Sequence, residues 1–77
     1  MKQKLIKILK ELRPEFDFTE SIDFIEQGML DSFDIVSLVS ILDEQFHISI
    51  SGLNILPENF SSIEKIEELL KKNGVKS

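Results

Sequence analysis

The sequence predicts an all-α fold: a small bundle of three main helices plus one short helix, with a long first loop. Three apolar stripes carry that expectation. Leu5, Ile8, Leu9 and Leu12 follow the i, i+3, i+4, i+7 spacing of a helix buried on one side. Ile35, Leu38, Val39, Leu42 and Phe46 fall within one arc when wound at ~100° per residue. Ile63, Ile66, Leu69 and Leu70 form the third stripe. Only His47-Ile48-Ser49-Ile50-Ser51 alternates like a strand. Nothing else in the chain alternates enough to pair with it, so it reads as an extended linker with Ile48 and Ile50 turned inward.

The first helix spans Lys2 to Leu12, and Lys2, Lys4, Lys7 and Lys10 lie largely off its apolar stripe. A basic amphipathic helix can lie on a membrane surface, but this one is short and its stripe is needed to close a small core. Arg13-Pro14 ends it, because proline disfavours the helical conformation in the residue before it. Glu15 to Asp31 is a connection of seventeen residues. Loops of that length are functional or packed by their own side chains, and Phe16, Phe18, Ile22, Phe24, Ile25, Met29 and Leu30 supply such packing. A short helical turn is expected around Ser21 to Gln27. Glu15-Phe16-Asp17-Phe18-Thr19-Glu20 lacks the glycine that a calcium-binding EF-hand loop needs at its sharp turn.

Helix two starts at Ser32 or Phe33 and runs to Phe46. Asp31 and Ser32 are both good N-cap residues, and Asp34 adds a carboxylate to the first turn. Ser32 is thus expected at the helix mouth with its hydroxyl free, near the positive end of the helix dipole, where a phosphate group is well placed. Ser37, Ser40 and Glu44 lie opposite the core arc, with Asp34 and Asp43 toward the flanks. Phe33 falls on the polar face and Ile41 on its edge. Carboxylates beside exposed apolar side chains suit a recognition face. A single exposed apolar residue is also ordinary, and a serine before a helix is most often a plain cap. Gly52 to Leu56 is expected to hold one helical turn before Pro57. Ser61-x-x-Glu64 matches a capping box for the last helix, and Gly74 stands where a C-terminal glycine belongs.

Composition narrows the function. A chain of 77 residues is read as one domain, residues 1–77, with a small core. It has no cysteine and one histidine, which removes disulfides, thiol nucleophiles and thiolate zinc sites, and no metal site is expected. No apolar run approaches the ~20 residues of a membrane span, and no signal peptide is visible, so a cytoplasmic protein, without membrane insertion, is expected. Net charge is −5, unevenly spread: from Pro14 to Glu64 there are eleven acids and no Lys or Arg, while the ends hold all nine bases. Such an acidic field would repel nucleic acid and attract basic protein surfaces. From composition alone, acids that simply solvate a helical surface fit equally well, and the complete absence of bases over this span tilts the expectation toward a partner-facing role.

A hydrolase built on Ser32 would need His47 within hydrogen-bond reach. Fifteen residues along a helix separate them, roughly 22 Å at 1.5 Å per residue. No Gly-x-Ser-x-Gly elbow or glycine-rich phosphate loop is present. The chain is expected to have no catalytic residue of its own.

Gly28-Met29-Leu30-Asp31-Ser32-Phe33, followed by Asp34-Ile35-Val36-Ser37-Leu38-Val39-Ser40-Ile41-Leu42-Asp43-Glu44-Gln45-Phe46, resembles the acyl carrier and peptidyl carrier proteins. Pro57 to Glu64 resembles the start of that family's last helix, so the likeness covers roughly Phe24 to Leu70. Phe33 stands where leucine is usual, a feature shared with D-alanyl carrier proteins and some other stand-alone carriers. The resemblance implies that Ser32 carries covalent 4′-phosphopantetheine from coenzyme A. It further implies that Asp31 helps present Ser32, and that Phe33, Asp34, Ser37, Ile41 and Glu44 line a partner face. The implied arm ends in a thiol that holds an acyl or aminoacyl cargo as a thioester. The implied partners of this monomer are a phosphopantetheinyl transferase using magnesium, an acyl- or aminoacyl-activating ligase, and downstream acyl-transfer enzymes with basic docking surfaces. Ser37 departs from the acidic residue common there in fatty-acid carriers. The competing expectation is a cofactor-free acidic adaptor that docks a basic partner through helix two.

Overall fold

A computed structural model describes residues 1–19 and 22–75. Three α-helices follow one another in the chain: α1 (Lys2–Leu12), α2 (Ser32–Phe46) and α3 (Ile63–Lys72). Two short 3₁₀ segments, Gly52–Asn54 and Pro57–Phe60, lie between α2 and α3. There is no strand among the described residues; 48–50 is neither helix nor strand, and Ser51 is in extended backbone. Helix α1 packs on both α2 and α3, and Pro57–Phe60 contacts both α2 and α3.

The three stripes form one core. Leu5, Ile8 and Leu9 of α1 meet Ile35, Leu38, Val39 and Leu42 of α2 and Ile63, Ile66, Leu69 and Leu70 of α3, all buried. Leu12 and Phe46, at the ends of their stripes, are only partly buried. Phe60 and Ile50 complete the core from the second connection, which confirms the inward turn of Ile50. The backbone N–H of Ile50 donates to the Asp43 carboxylate at 3.1 Å, so the last turn of α2 holds the segment after it in place. Helix α2 stops at His47, an exposed residue in the left-handed region (φ 54°) whose N–H bonds back to Asp43.

The long first loop is packed from within. Phe18 and Phe24 are buried edge to face, their ring centroids 5.0 Å apart, and Phe16 meets Phe18 edge to face as well, at 6.4 Å. Phe24 also ties the loop down through its backbone. Its N–H donates to the Ser61 carbonyl at 2.8 Å, and its carbonyl accepts from Met29 and Leu30. The expected helical turn is a single turn over 24–28. Asp23 opens it by accepting from the N–H groups of Ile25 and Glu26, both at 2.9 Å, and Gln27 N–H closes it on the Asp23 carbonyl. Ser21 lies outside the described residues. Gly28, at φ 72°, reverses the chain toward α2 in a conformation that side chains rarely take.

Helix α3 corrects one expectation. Its N-cap is Ser62, whose hydroxyl accepts from Lys65 N–H at 3.1 Å, while Ser61 donates instead to the Glu58 carbonyl. The capping box expected at Ser61 and Glu64 does not form, because Pro57–Phe60 takes up Ser61 and starts the helix one residue later. At the other end Gly74 (φ 92°) completes a Schellman turn: Val75 N–H reaches the Leu70 carbonyl at 3.0 Å and Gly74 N–H that of Lys71 at 3.1 Å.

Candidate functional site

The mouth of α2 is built by two aspartates that cap each other. Asp31, in extended backbone, is the N-cap, and its carboxylate accepts from Asp34 N–H at 2.9 Å. Asp34 returns the bond, its Oδ2 accepting from Asp31 N–H at 3.1 Å. This is a capping box with an aspartate in place of the usual glutamate at N3. Because Asp31 does the capping, Ser32 becomes the first helical residue. It is exposed, and its hydroxyl makes no hydrogen bond to any described residue. Nothing structural consumes that hydroxyl, and the positive end of a 15-residue helix lies beside it.

Asp34 corrects the expectation that it lines a partner face. It is 5 % exposed, the one buried charged residue among the described residues. Arg13, just past the end of α1, donates to its Oδ2 from Nε at 3.0 Å and from Nη2 at 2.8 Å. The same Nη2 lies 3.8 Å from Asp31 Oδ2, and Nη1 lies 3.3 Å from Glu15. Burial works against the charge on Asp34. The hydrogen bonds from Arg13 and from the Asp31 backbone, with the charge of the guanidinium, outweigh it and hold the carboxyl below its ordinary range. The helical wheel placed Asp34 on a flank; packing of α1 against α2 turned that flank inward.

The other residues expected on the partner face remain near the surface. Phe33 is 77 % exposed, Glu44 is exposed, and Ser37 and Ile41 are half-buried. Val36, at 65 % exposure, was not among the expected site residues. It lies one helical turn after Phe33, so the same i, i+3 rule that found the core stripe would have found it. Phe33, Val36, Ser37 and Ser40 thus form a second stripe on α2, opposite the core. Leu53 and Leu56, on the connection beyond α2, are also exposed. Three surface grooves are lined by α1, the first loop, the start of α3 with the serines before it, and Gln45 near the end of α2, and Ser32 lines none of them.

His47 sits at the opposite end of α2 from Ser32, so the two cannot form a nucleophile–base pair in one chain. Among the described residues no group of three or more histidine, cysteine or acidic side chains gathers to hold a metal. No helix is long and apolar enough to cross a membrane.

The fold is a small helical domain that exposes the Ser32 hydroxyl in the first turn of α2, beside an exposed apolar stripe. Residues 2–70 match the family model described as "Phosphopantetheine attachment site", and the chain belongs to that family. Its domains are attachment sites for the 4′-phosphopantetheine prosthetic group and are carriers without catalysis of their own; they serve enzymes that modify and acylate them. Neither the curated proteins nor the solved structures compared with this chain include a match to it.

Proposed function

We propose that Ser32 is the residue that carries 4′-phosphopantetheine, and that this protein delivers an acyl or aminoacyl cargo between enzymes in the cytoplasm. The observation that carries this reading is the free, exposed Ser32 hydroxyl in the first turn of α2, with capping already supplied by Asp31. Ser32 Oγ forms the new P–O bond as the pyrophosphate of coenzyme A breaks. Adenosine 3′,5′-bisphosphate leaves, and the serine proton passes to a base on the transferase. The bound group supplies a terminal thiol, on which the cargo is held as a thioester. The chain supplies an anchor, the α2 dipole facing the phosphodiester, and a surface that partners read.

That surface is the stripe of Phe33, Val36 and Ser37, edged by Ile41 and Glu44. Its expected readers are a phosphopantetheinyl transferase, an activating ligase that loads the cargo, and acyl-transfer enzymes with basic patches. Exposed Asp31, Glu44, Asp23 and Glu26 supply the charge that steers them. Phe33 in place of leucine and Ser37 in place of an acid favour an aminoacyl or specialised acyl cargo over a fatty-acid one.

The test is intact mass before and after incubation with coenzyme A, magnesium and a broad-specificity phosphopantetheinyl transferase, with Ser32→Ala in parallel. One added phosphopantetheine on the natural chain and none on the variant is the expected result. Folded protein that gains nothing would replace this reading with that of an acidic adaptor.

A further inference from the structure

We propose that Arg13 is the positioning counter-charge that lets an anionic phosphodiester sit on Ser32. This rests on the carrier reading above. Ser32 stands between two carboxylates, Asp31 directly before it and Asp34 two residues after it. Arg13 reaches both, at 3.8 Å and 2.8 Å, and Glu15 as well at 3.3 Å. The mouth of α2 therefore holds three carboxylates and one base. Esterification of Ser32 adds a fourth negative charge to it.

The helix N-terminus is already partly committed. The N–H of Asp34 is bonded to Asp31, and that of Asp31 to Asp34, so the dipole's donors are shared with the aspartates before any phosphate arrives. No second base lies near in sequence, since 14–64 contains no Lys or Arg. Three of the Arg13 nitrogens are engaged by the carboxylates, so the guanidinium acts by offsetting part of their charge and fixing their positions.

A plain structural latch would hold the unmodified and modified forms equally. A counter-charge holds the modified form more. The two are separated by the change in Tm on modification, measured on the natural chain, Arg13→Gln and Asp34→Asn at low salt and in 1 M salt. Arg13→Gln leaves three carboxylates with no base beside them, so modification is expected to lower its Tm by about 3 °C relative to the change in the natural chain. Asp34→Asn keeps an acceptor for Asp31 N–H but removes one negative charge. Its change on modification is expected to move the other way, which keeps the test open if Arg13→Gln does not fold. In 1 M salt, where screening acts within about 3 Å, the differences are expected to shrink. Equal changes in all three chains, or differences indifferent to salt, would overturn the counter-charge and leave the carrier reading standing. Failure of the natural chain to accept the group at all would overturn both.

Discussion

Arg13 and Asp34, twenty-one residues apart, meet through two hydrogen bonds to a single carboxylate oxygen, which also accepts from the backbone of Asp31. The end of α1 is thereby fastened to the mouth of α2 across the whole first loop, beside the exposed Ser32. The bond is both a tertiary contact and part of a helix cap, so a change at Arg13 is felt at both places.

Ser32→Ala is expected to lose modification and keep its fold. Asp31 holds the cap, and alanine is a better helix former than serine, so stability should stay within about 0.5 kcal/mol of the natural chain. Thermal unfolding of the variant beside its intact mass checks both halves; a large loss of helicity would make Ser32 structural.

Asp31→Ala is expected to cost about 1 kcal/mol through loss of the N-cap, and Asp31→Asn to recover most of it. Urea unfolding of the pair measures this. Modification of Asp31→Ala should be slower, because the first turn of α2 frays around Ser32.

The Asp34 pair sets an acid limit. Its carboxyl titrates lower in the folded chain than in the unfolded one, so its contribution is fully present above the unfolded pKa, about 3.9, and is lost as pH falls through the folded value. Below about pH 4 the natural chain should therefore lose stability more steeply than Asp34→Asn. Parallel unfolding curves for the two chains from pH 6 to pH 2.5 would remove Asp34 from the acid transition.

Phe33→Ala and Val36→Ala are expected to leave stability within about 0.5 kcal/mol, because both side chains face solvent. Each should slow turnover by partner enzymes, the double variant more than either. Glu44→Lys should slow association mainly at low salt, where charge steering is strongest. Stopped-flow or steady-state rates with a transferase measure these effects.

Phe24→Ala is expected to cost about 3–5 kcal/mol, a large part of the stability of so small a domain. The ring fills the core against Phe18 and its backbone anchors the first loop to Ser61. Loss of cooperative thermal unfolding in this variant is the expected sign that the loop is an integral layer of the fold.

Local pattern made much of this protein legible. The stripes of α1, α2 and α3 follow from spacing alone, since burial of one helical face imposes a period near 3.6 residues. The end of α1 at Arg13-Pro14 and the glycine that closes α3 are single-residue backbone effects. Capping competes at neighbouring positions, and there the sequence leaves a choice open. Asp31 and Ser32 can each cap α2, and the serine that caps α3 proved to be Ser62, one residue after the Ser61 expected from the capping-box pattern. The reciprocal bond from Asp34 selects Asp31 in the first case, and Pro57–Phe60 selects Ser62 in the second.

By itself the sequence determined three helices, an acidic middle, and a serine at the start of the central helix. The tertiary structure decided which acids stay on the surface and which are spent inside. Periodicity names the face of a helix that is apolar, but not the angle at which another helix crosses it. That crossing brought Arg13 onto Asp34, withdrew one carboxylate from the surface, and left Phe33 and Val36 exposed beside Ser32.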